Sequence, residues 1–235
     1  MFQKIVIIGA GGLALQVLDI LDACNQLGLR YEILGYIVEH PYGKPGSIIN
    51  GFPILGDFEW FDTCPEEIFA ITAVAAPHVK LRLVNNAKDR GVHFCNAFHP
   101  RTILSQHLVI GEDVALHAST ILSNQNRIGN HVNLNMGCII GENTCIADFA
   151  TLSPGVHIAG DVTIGTGAYV GIGVNIIEKV RIGEWSVIGA GSTIIRDVPP
   201  NTTVVGGPGK VIKTREVGWH LPSRSPKFYT SQLNL

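Results

Sequence analysis

Between residues 104 and 194 an aliphatic residue returns at every sixth position without a gap, sixteen times in register, beginning Leu104, Ile110, Leu116 and ending Ile182, Ile188, Ile194. A period of six is neither the 3.6 of a helix nor the 2 of a lone strand, so it calls for a repeat architecture. The residue after the aliphatic one is mostly small (Gly111, Gly129, Gly141, Gly165, Gly171, Gly183), and a second small or branched set follows four positions on (Val114, Val132, Cys138, Val156, Val174). Two inward side chains per hexad, with glycine where the backbone turns sharply, predict short strands joined by tight turns. Stacked coil on coil, such strands bury one continuous apolar column.

Ahead of the hexads the periodicity changes. Residues 4–8 (KIVII) form an unbroken β-branched run, as in a strand buried on both faces of a parallel sheet. A glycine turn follows, Gly9-Ala10-Gly11-Gly12, and then Val17, Ile20, Leu21, Cys24 and Leu27 share one face of a helix closed by Gly28. Residues 31–38 predict a second strand ending at Glu39, residues 40–51 a loop, and Gly56-Asp57 the start of a short helix. A third strand over 68–74, a helix over 77–90 and a fourth strand over 92–96 complete a small α/β unit. The chain thus divides into an α/β unit over 1–97, an all-β hexad unit over 98–214 and a tail over 215–235 with Trp219, His220, Phe228 and Tyr229. The hexads decay into Pro199-Pro200, because proline cannot donate to a strand ladder.

Composition narrows the function classes. Of 235 residues 46% are apolar and only 15% charged, which suits a β-rich core with extensive subunit contacts. A net charge of −2 recommends neither nucleic acid nor an anionic membrane as partner. The five cysteines (Cys24, Cys64, Cys95, Cys138, Cys145) are scattered and form no C-x-x-C, so they read as reduced thiols of a cytoplasmic protein. The apolar run at 5–8 is too short for a signal peptide or a spanning helix.

Gly9, Gly11 and Ala14 fit the G-x-G-x-x-G/A spacing between a strand and a helix, where backbone N–H groups and the helix N-terminus face an anion. The alternative is that these glycines only permit close packing of helix on strand. Glu39 stands near where a dinucleotide fold places a ribose-binding acid, with a solvated carboxylate as the alternative. A unit of this length holds only half of a full dinucleotide sheet, which argues against an NAD-dependent dehydrogenase.

The opening KIVIIGAGG, together with LSPGVHIAGDVTIG (152–165), YVGIG (169–173), VIGAGS (187–192) and VVGGPGK (204–210), resembles the nucleotide-amino-sugar N-acetyltransferases of the bacillosamine type. The related sialic acid O-acetyltransferases and perosamine N-acetyltransferases are similar too. This resemblance implies a small Rossmann-like domain followed by a left-handed parallel β-helix with three hexads per coil, assembled as a homotrimer. It further implies an enzyme that moves an acyl group, in the first instance acetyl, from CoA to the amine of a nucleotide-linked amino-sugar for surface polysaccharide or glycan synthesis. Acyl-CoA is then a co-substrate, with no permanently bound cofactor and no metal.

By the same resemblance Gly11 and Gly12 belong to the loop that approaches the sugar nucleotide, and Asn135 lies near the reacting centre. Gly171 and Gly173 line the pantetheine channel, and Pro208 and Lys210 lie by the adenine, where Lys210, Lys213 and Arg215 offset the charge of the CoA phosphates. Several positions depart from the family. Glu142 stands where the general-base histidine is expected, Leu13 replaces the histidine of the glycine loop, Val38 and Glu39 replace paired acids, and Thr151 replaces the histidine of D-F-x-H. An amine needs a base less than a hydroxyl does, so the loss favours N-acylation, with Glu142 as proton acceptor or anchor of the ammonium. His117, in one column with Asn135 and Ser153, is the alternative base. A catalytically silent nucleotide-sugar-binding or assembly subunit and a sugar O-acetyltransferase remain as other readings.

Overall fold

The computed structural model describes residues 3–29, 31–64 and 67–221. The α/β unit runs β1 (Gln3–Ile8), α1 (Gly12–Gln26), β2 (Tyr31–Ile37), β3 (Ile48–Ile49), β4 (Phe52–Gly56), α2 (Glu59–Thr63), β5 (Phe69–Thr72), α3 (Pro77–Lys88) and β6 (His93–Phe94). Its sheet has the order β3-β4-β2-β1-β5-β6 and is parallel apart from the β3–β4 pair. Strand alternation splits the core: Ile5 and Ile7 pack with α1, while Val6 and Ile8 pack with α2 and α3. The segment over 40–51 is not loop throughout, since Ile48–Ile49 forms a hairpin with Phe52–Gly56, which in turn extends the parallel sheet beside β2. Pro53 hides this strand from a pattern reading, because proline is tolerated only where no ladder donor is needed.

The hexads form a three-sided prism. Every aliphatic position from Leu104 to Ile194 closes a two-residue strand, and each strand but the last pairs in parallel with its counterpart one coil later, as Ala115 with Asn133, Ile121 with Ile139 and Arg127 with Cys145. Leu116, Leu134, Ile140, Leu152, Ile164 and Ile188 are fully buried in one column. At roughly 1.5–3 kcal/mol per buried aliphatic side chain, this column dominates the stability of the prism. The ladder begins one hexad earlier than the aliphatic pattern, at Ala97–Phe98, where an aromatic residue takes the position. It ends in a hairpin of Thr202–Val205 and Lys210–Thr214 that caps the last coil.

The small residue after each aliphatic one is explained by close approach and not by a sharp turn. A Cβ added at Gly129 would lie 2.7 Å from the Asp148 nitrogen of the next coil, and one at Gly165 2.5 Å from the Glu184 nitrogen. The left-handed backbone falls two residues later and is borne mostly by other residues, among them Asp113 (φ +54°), His131 (φ +58°) and Phe149 (φ +61°).

Those three strained residues join the units. Asp113 accepts the Thr72 N–H at 2.7 Å and pairs with His131 Nδ1 at 2.9 Å. The His131 ring stacks on Phe149 at 4.8 Å and meets Phe94 edge-on at 5.2 Å. Lys80 of α3, 1% exposed, donates from Nζ to the His131 carbonyl at 3.0 Å. Its burial lowers the pKa to about 8, against the pull of Asp113. Ala97 and Ala115 complete the core on the α1 side, so the two units share one packed body. Among the described residues no helix is long and apolar enough to cross a membrane.

Candidate functional site

β1 delivers the chain into the glycine loop. Gly9 (φ +108°) is required by sterics, since an added Cβ would lie 2.9 Å from the Ala73 carbonyl oxygen. Gly11 and Gly12 are exposed, and a Cβ on either would meet nothing within 4 Å. Helix-on-strand packing therefore accounts for Gly9 and for buried Ala14, and leaves Gly11 and Gly12 as open backbone. α1 has no side-chain cap, so its first-turn N–H groups and the positive end of its dipole face that space. Leu13 is half-buried beside them.

A cavity of about 340 Å³ lies next to the loop, lined by Gly9, Ala10, Val38, Glu39, Tyr42 and Arg82 among others. Glu39 is not a free acid there. Arg82 of α3 grips both of its oxygens, with Nη2 to Oε2 at 2.7 Å. That hydrogen bond raises the pKa of the guanidinium. Arg82 and Tyr42 escape a sequence reading because only the fold brings them to Glu39.

On the prism His117, Asn135, Ser153 and Gly171 occupy one corner column. Asn135 Nδ2 donates to Gln16 Oε1 at 3.3 Å, which ties this column to the second turn of α1. The glycine loop and Asn135 are thus brought together. Ser153 Oγ donates to the Tyr169 hydroxyl at 3.2 Å. His117 is 2% exposed and bonded through Nε2 to Asn133 Oδ1 at 2.9 Å. Burial lowers its pKa, with the Asn133 bond opposing. A histidine so enclosed has no path to a substrate hydroxyl, which weighs against the O-acylation reading. Gly171 is demanded by coil stacking, with an added Cβ 2.7 Å from the Ala190 nitrogen, whereas Gly173 holds the left-handed position (φ +64°) that non-glycine residues fill elsewhere, and a Cβ there would meet nothing within 4 Å.

Glu142 sits on the next corner, exposed, its carboxylate lying against Gly160, where a Cβ would come 2.6 Å from Oε1. Within one chain the strand Ile139–Ile140 separates it from the Asn135 column. At the capped end a cavity of about 260 Å³ gathers Pro208 and Lys210 with Ile194, Arg196 and Asp197. Arg196 is a cation that pattern reading passed over. Arg215 does not join this group: its guanidinium lies 4.5 Å over the Trp219 ring, in a different cavity. Trp219 and His220 dock on the protein, whereas Phe228 and Tyr229 lie outside the described residues.

Residues 4–87 match the family profile of the PglD N-terminal domain, and residues 161–196 that of the bacterial transferase hexapeptide, six repeats. Among solved structures, PerB from Caulobacter crescentus, in complex with CoA and GDP-perosamine, is 27% identical with a TM-score of 0.82, over 91% of this chain and 99% of that one. The chain is a close structural match to the perosamine N-acetyltransferases. The Caulobacter enzyme is also solved with a histidine replaced by asparagine or by alanine. The acetyltransferase domain of PglB from Neisseria gonorrhoeae, in complex with acetyl coenzyme A, is 26% identical with a TM-score of 0.82, over 90% of this chain and 100% of that one. WeeI from Acinetobacter baumannii, 24% identical with a TM-score of 0.73 over 89% of this chain and 100% of that one, shares the fold. No curated protein matches the chain significantly by sequence.

Proposed function

We propose that this protein transfers an acyl group, acetyl in the first instance, from CoA to the amine of a nucleotide-linked amino-sugar, as a cytoplasmic homotrimer. The observation that carries this reading is the Gln16–Asn135 bond, which sets the open glycine loop of α1 beside the prism column in a fold whose relatives are solved with CoA and GDP-perosamine. Residues 1–97 then hold the nucleotide sugar, with its diphosphate on the N–H groups at Gly11, Gly12 and Leu13 and its nucleoside in the cavity at Glu39 and Arg82. Residues 98–214 hold acyl-CoA, with the pantetheine along Gly171 and Gly173 and the nucleotide end at Pro208, Lys210 and Arg196.

Trimer formation is supported by exposed apolar side chains around one side of the prism. Met136 (41% exposed) and Ile172 (60%) stand on the Asn135 corner, Ile177 (39%) and Ile195 (42%) on the Glu142 corner, and Ile139 (42%) between them. Three-fold closure through that side is heterologous, so the Asn135 corner of one subunit meets the Glu142 corner of the next. The amine attacks the thioester carbonyl, and Asn135 holds the sugar. Glu142 of the partner subunit, directly or through water, takes the proton from the nitrogen and passes it to the sulfur as the C–S bond breaks, so that CoA leaves as thiol and the carboxylate is restored. A carboxylate is a weak base, but it suffices for the acidic N–H of a tetrahedral intermediate.

Incubation with acetyl-CoA and a panel of GDP-, UDP- and dTDP-amino-sugars should release free thiol with at least one of them. Silence over the whole panel, with the chain folded and trimeric, would sink the assignment.

A further inference from the structure

Beyond the corner that joins the two units, the C-terminal segment folds back over a cavity of about 440 Å³. Its walls include Pro77 and His78 of α3, Tyr169 and Trp185 of the prism, and Arg215 and Trp219 of the segment. No residue of the glycine loop, of the Asn135 column or of the Pro208–Lys210 cavity lines it; Arg215, which the resemblance set by the CoA phosphates, does. The volume falls within the roughly 300–1,000 Å³ of small-molecule sites.

The walls are ordered by stacking. Trp185 lies face to face with His220 at 3.7 Å and 4°, Arg215 covers Trp219, and His78 meets Trp219 at 5.6 Å. Gly167 makes room for this, since a Cβ there would lie 2.3 Å from the Trp185 ring.

The polar character of the lining is one-sided. Among the described residues it contains no Asp, Glu, Asn or Gln, and its one fixed charge is Arg215, which has no carboxylate partner among them. Arg215 Nη1 and Trp219 Nε1 are shielded from water and find no acceptor. α3 begins at the rim, and since its N-cap Ala76 gives no side-chain bond and Pro77 carries no N–H, the His78 and Val79 N–H groups stand there at the positive end of the dipole. Burial, together with the nearby Arg82 and Arg215, lowers the pKa of His78.

Donors without acceptors suit an oxyanion, and flat aromatic walls suit a planar ring. A saccharide, whose hydroxyls both donate and accept, finds few partners in such a lining. We propose that this cavity binds a nucleoside phosphate, with the base against Trp219 and Tyr169 and the phosphate on Arg215 and the N-terminus of α3. Its lining shares no residue with the cavity beside the glycine loop of α1, although both flank the same end of α3, and it adds a second nucleotide position to the chain.

The test uses the full chain carrying Trp60→Phe, so that fluorescence reports Trp185 and Trp219. AMP, GMP, UMP and inorganic phosphate are titrated separately. At least one monophosphate should quench saturably, and Arg215→Gln should raise its Kd about tenfold or more, as expected for loss of charge-assisted hydrogen bonds. Arg215→Lys, which keeps the charge without the fork, should fall between the two, and circular dichroism checks that each variant is folded. Gly12→Val should leave the quench in place. The proposal is overturned if no probe quenches, if inorganic phosphate quenches as well as the monophosphates, or if Gly12→Val abolishes binding while Arg215→Gln does not. Absence of thiol release would break the acyl-transfer reading and leave this quench untouched.

Discussion

A Cβ added at Gly165 of the prism would lie 2.5 Å from the backbone of the next coil, whereas one added at Gly12 of the α/β unit would meet nothing within 4 Å. The same residue type serves opposite ends in the two regions. In the prism each glycine lets one coil settle on its neighbour, so the whole ladder depends on it. In the α/β unit Gly12 leaves backbone uncovered at the start of a helix, where the proposed function sets the diphosphate of the nucleotide sugar. Fold-bearing positions are thus repeated and enclosed, and those proposed to bind the substrate are single and open.

Paired substitutions break or confirm that contrast most directly. Gly165→Val should prevent coil stacking and yield insoluble or molten chain, a loss beyond about 4 kcal/mol of the kind reserved for overpacking against backbone. Gly12→Val should keep the melting transition within about 0.5 kcal/mol, as surface changes do, and weaken nucleotide-sugar binding instead. A comparable melting temperature for the two variants would remove the distinction.

The junction between the regions responds to pH through Lys80. Its folded pKa of about 8 lies below its ordinary 10.5, so above pH 8 the unfolded chain binds more protons than the folded one and stability rises with pH. The penalty of burying the charge is full below pH 8 and relieved by about pH 10.5, a span of about 3 kcal/mol from the 1.36 kcal/mol per unit of linkage. Cys95 and Cys138, both raised to about 12 by burial, act in the opposite direction at high pH, so the effect is read as a difference between variants. Against Lys80→Met, wild type should gain stability steadily between pH 8 and 10 in denaturant titrations. A constant gap would refute the buried charge.

At the proposed subunit contact Glu142→Gln tests the smallest effect. General-base loss should lower kcat about 100-fold with KM little changed, some 2.7 kcal/mol. An unchanged kcat assigns the proton to water.

The hexad period located the two-residue strands from Ile103–Leu104 to Thr193–Ile194, because each inward side chain meets the same environment one coil away. It missed Ala97–Phe98, where an aromatic side chain fills the aliphatic place, and the β4 strand, where Pro53 breaks the expected alphabet. In the candidate site the glycine loop and the Asn135 column were legible, being local motifs. The Arg82 grip on Glu39 was not, since those residues lie on separate elements and neither carries a spacing signal. The Trp185–His220 stack and the Asp113–His131–Lys80 junction were illegible for the same reason.

By itself the sequence determined what repeats or is contiguous: the prism, its apolar column, and a glycine turn between a strand and a helix. Such features follow from short-range sterics and periodic burial, which a linear pattern records. Tertiary structure alone decided that Gly11 and Gly12 face open space, that Glu39 is already paired, that His117 is sealed and that Arg215 turns toward Trp219. Those outcomes depend on which side chains arrive from distant elements, and the electrostatics and burial of a site exist only once they have arrived.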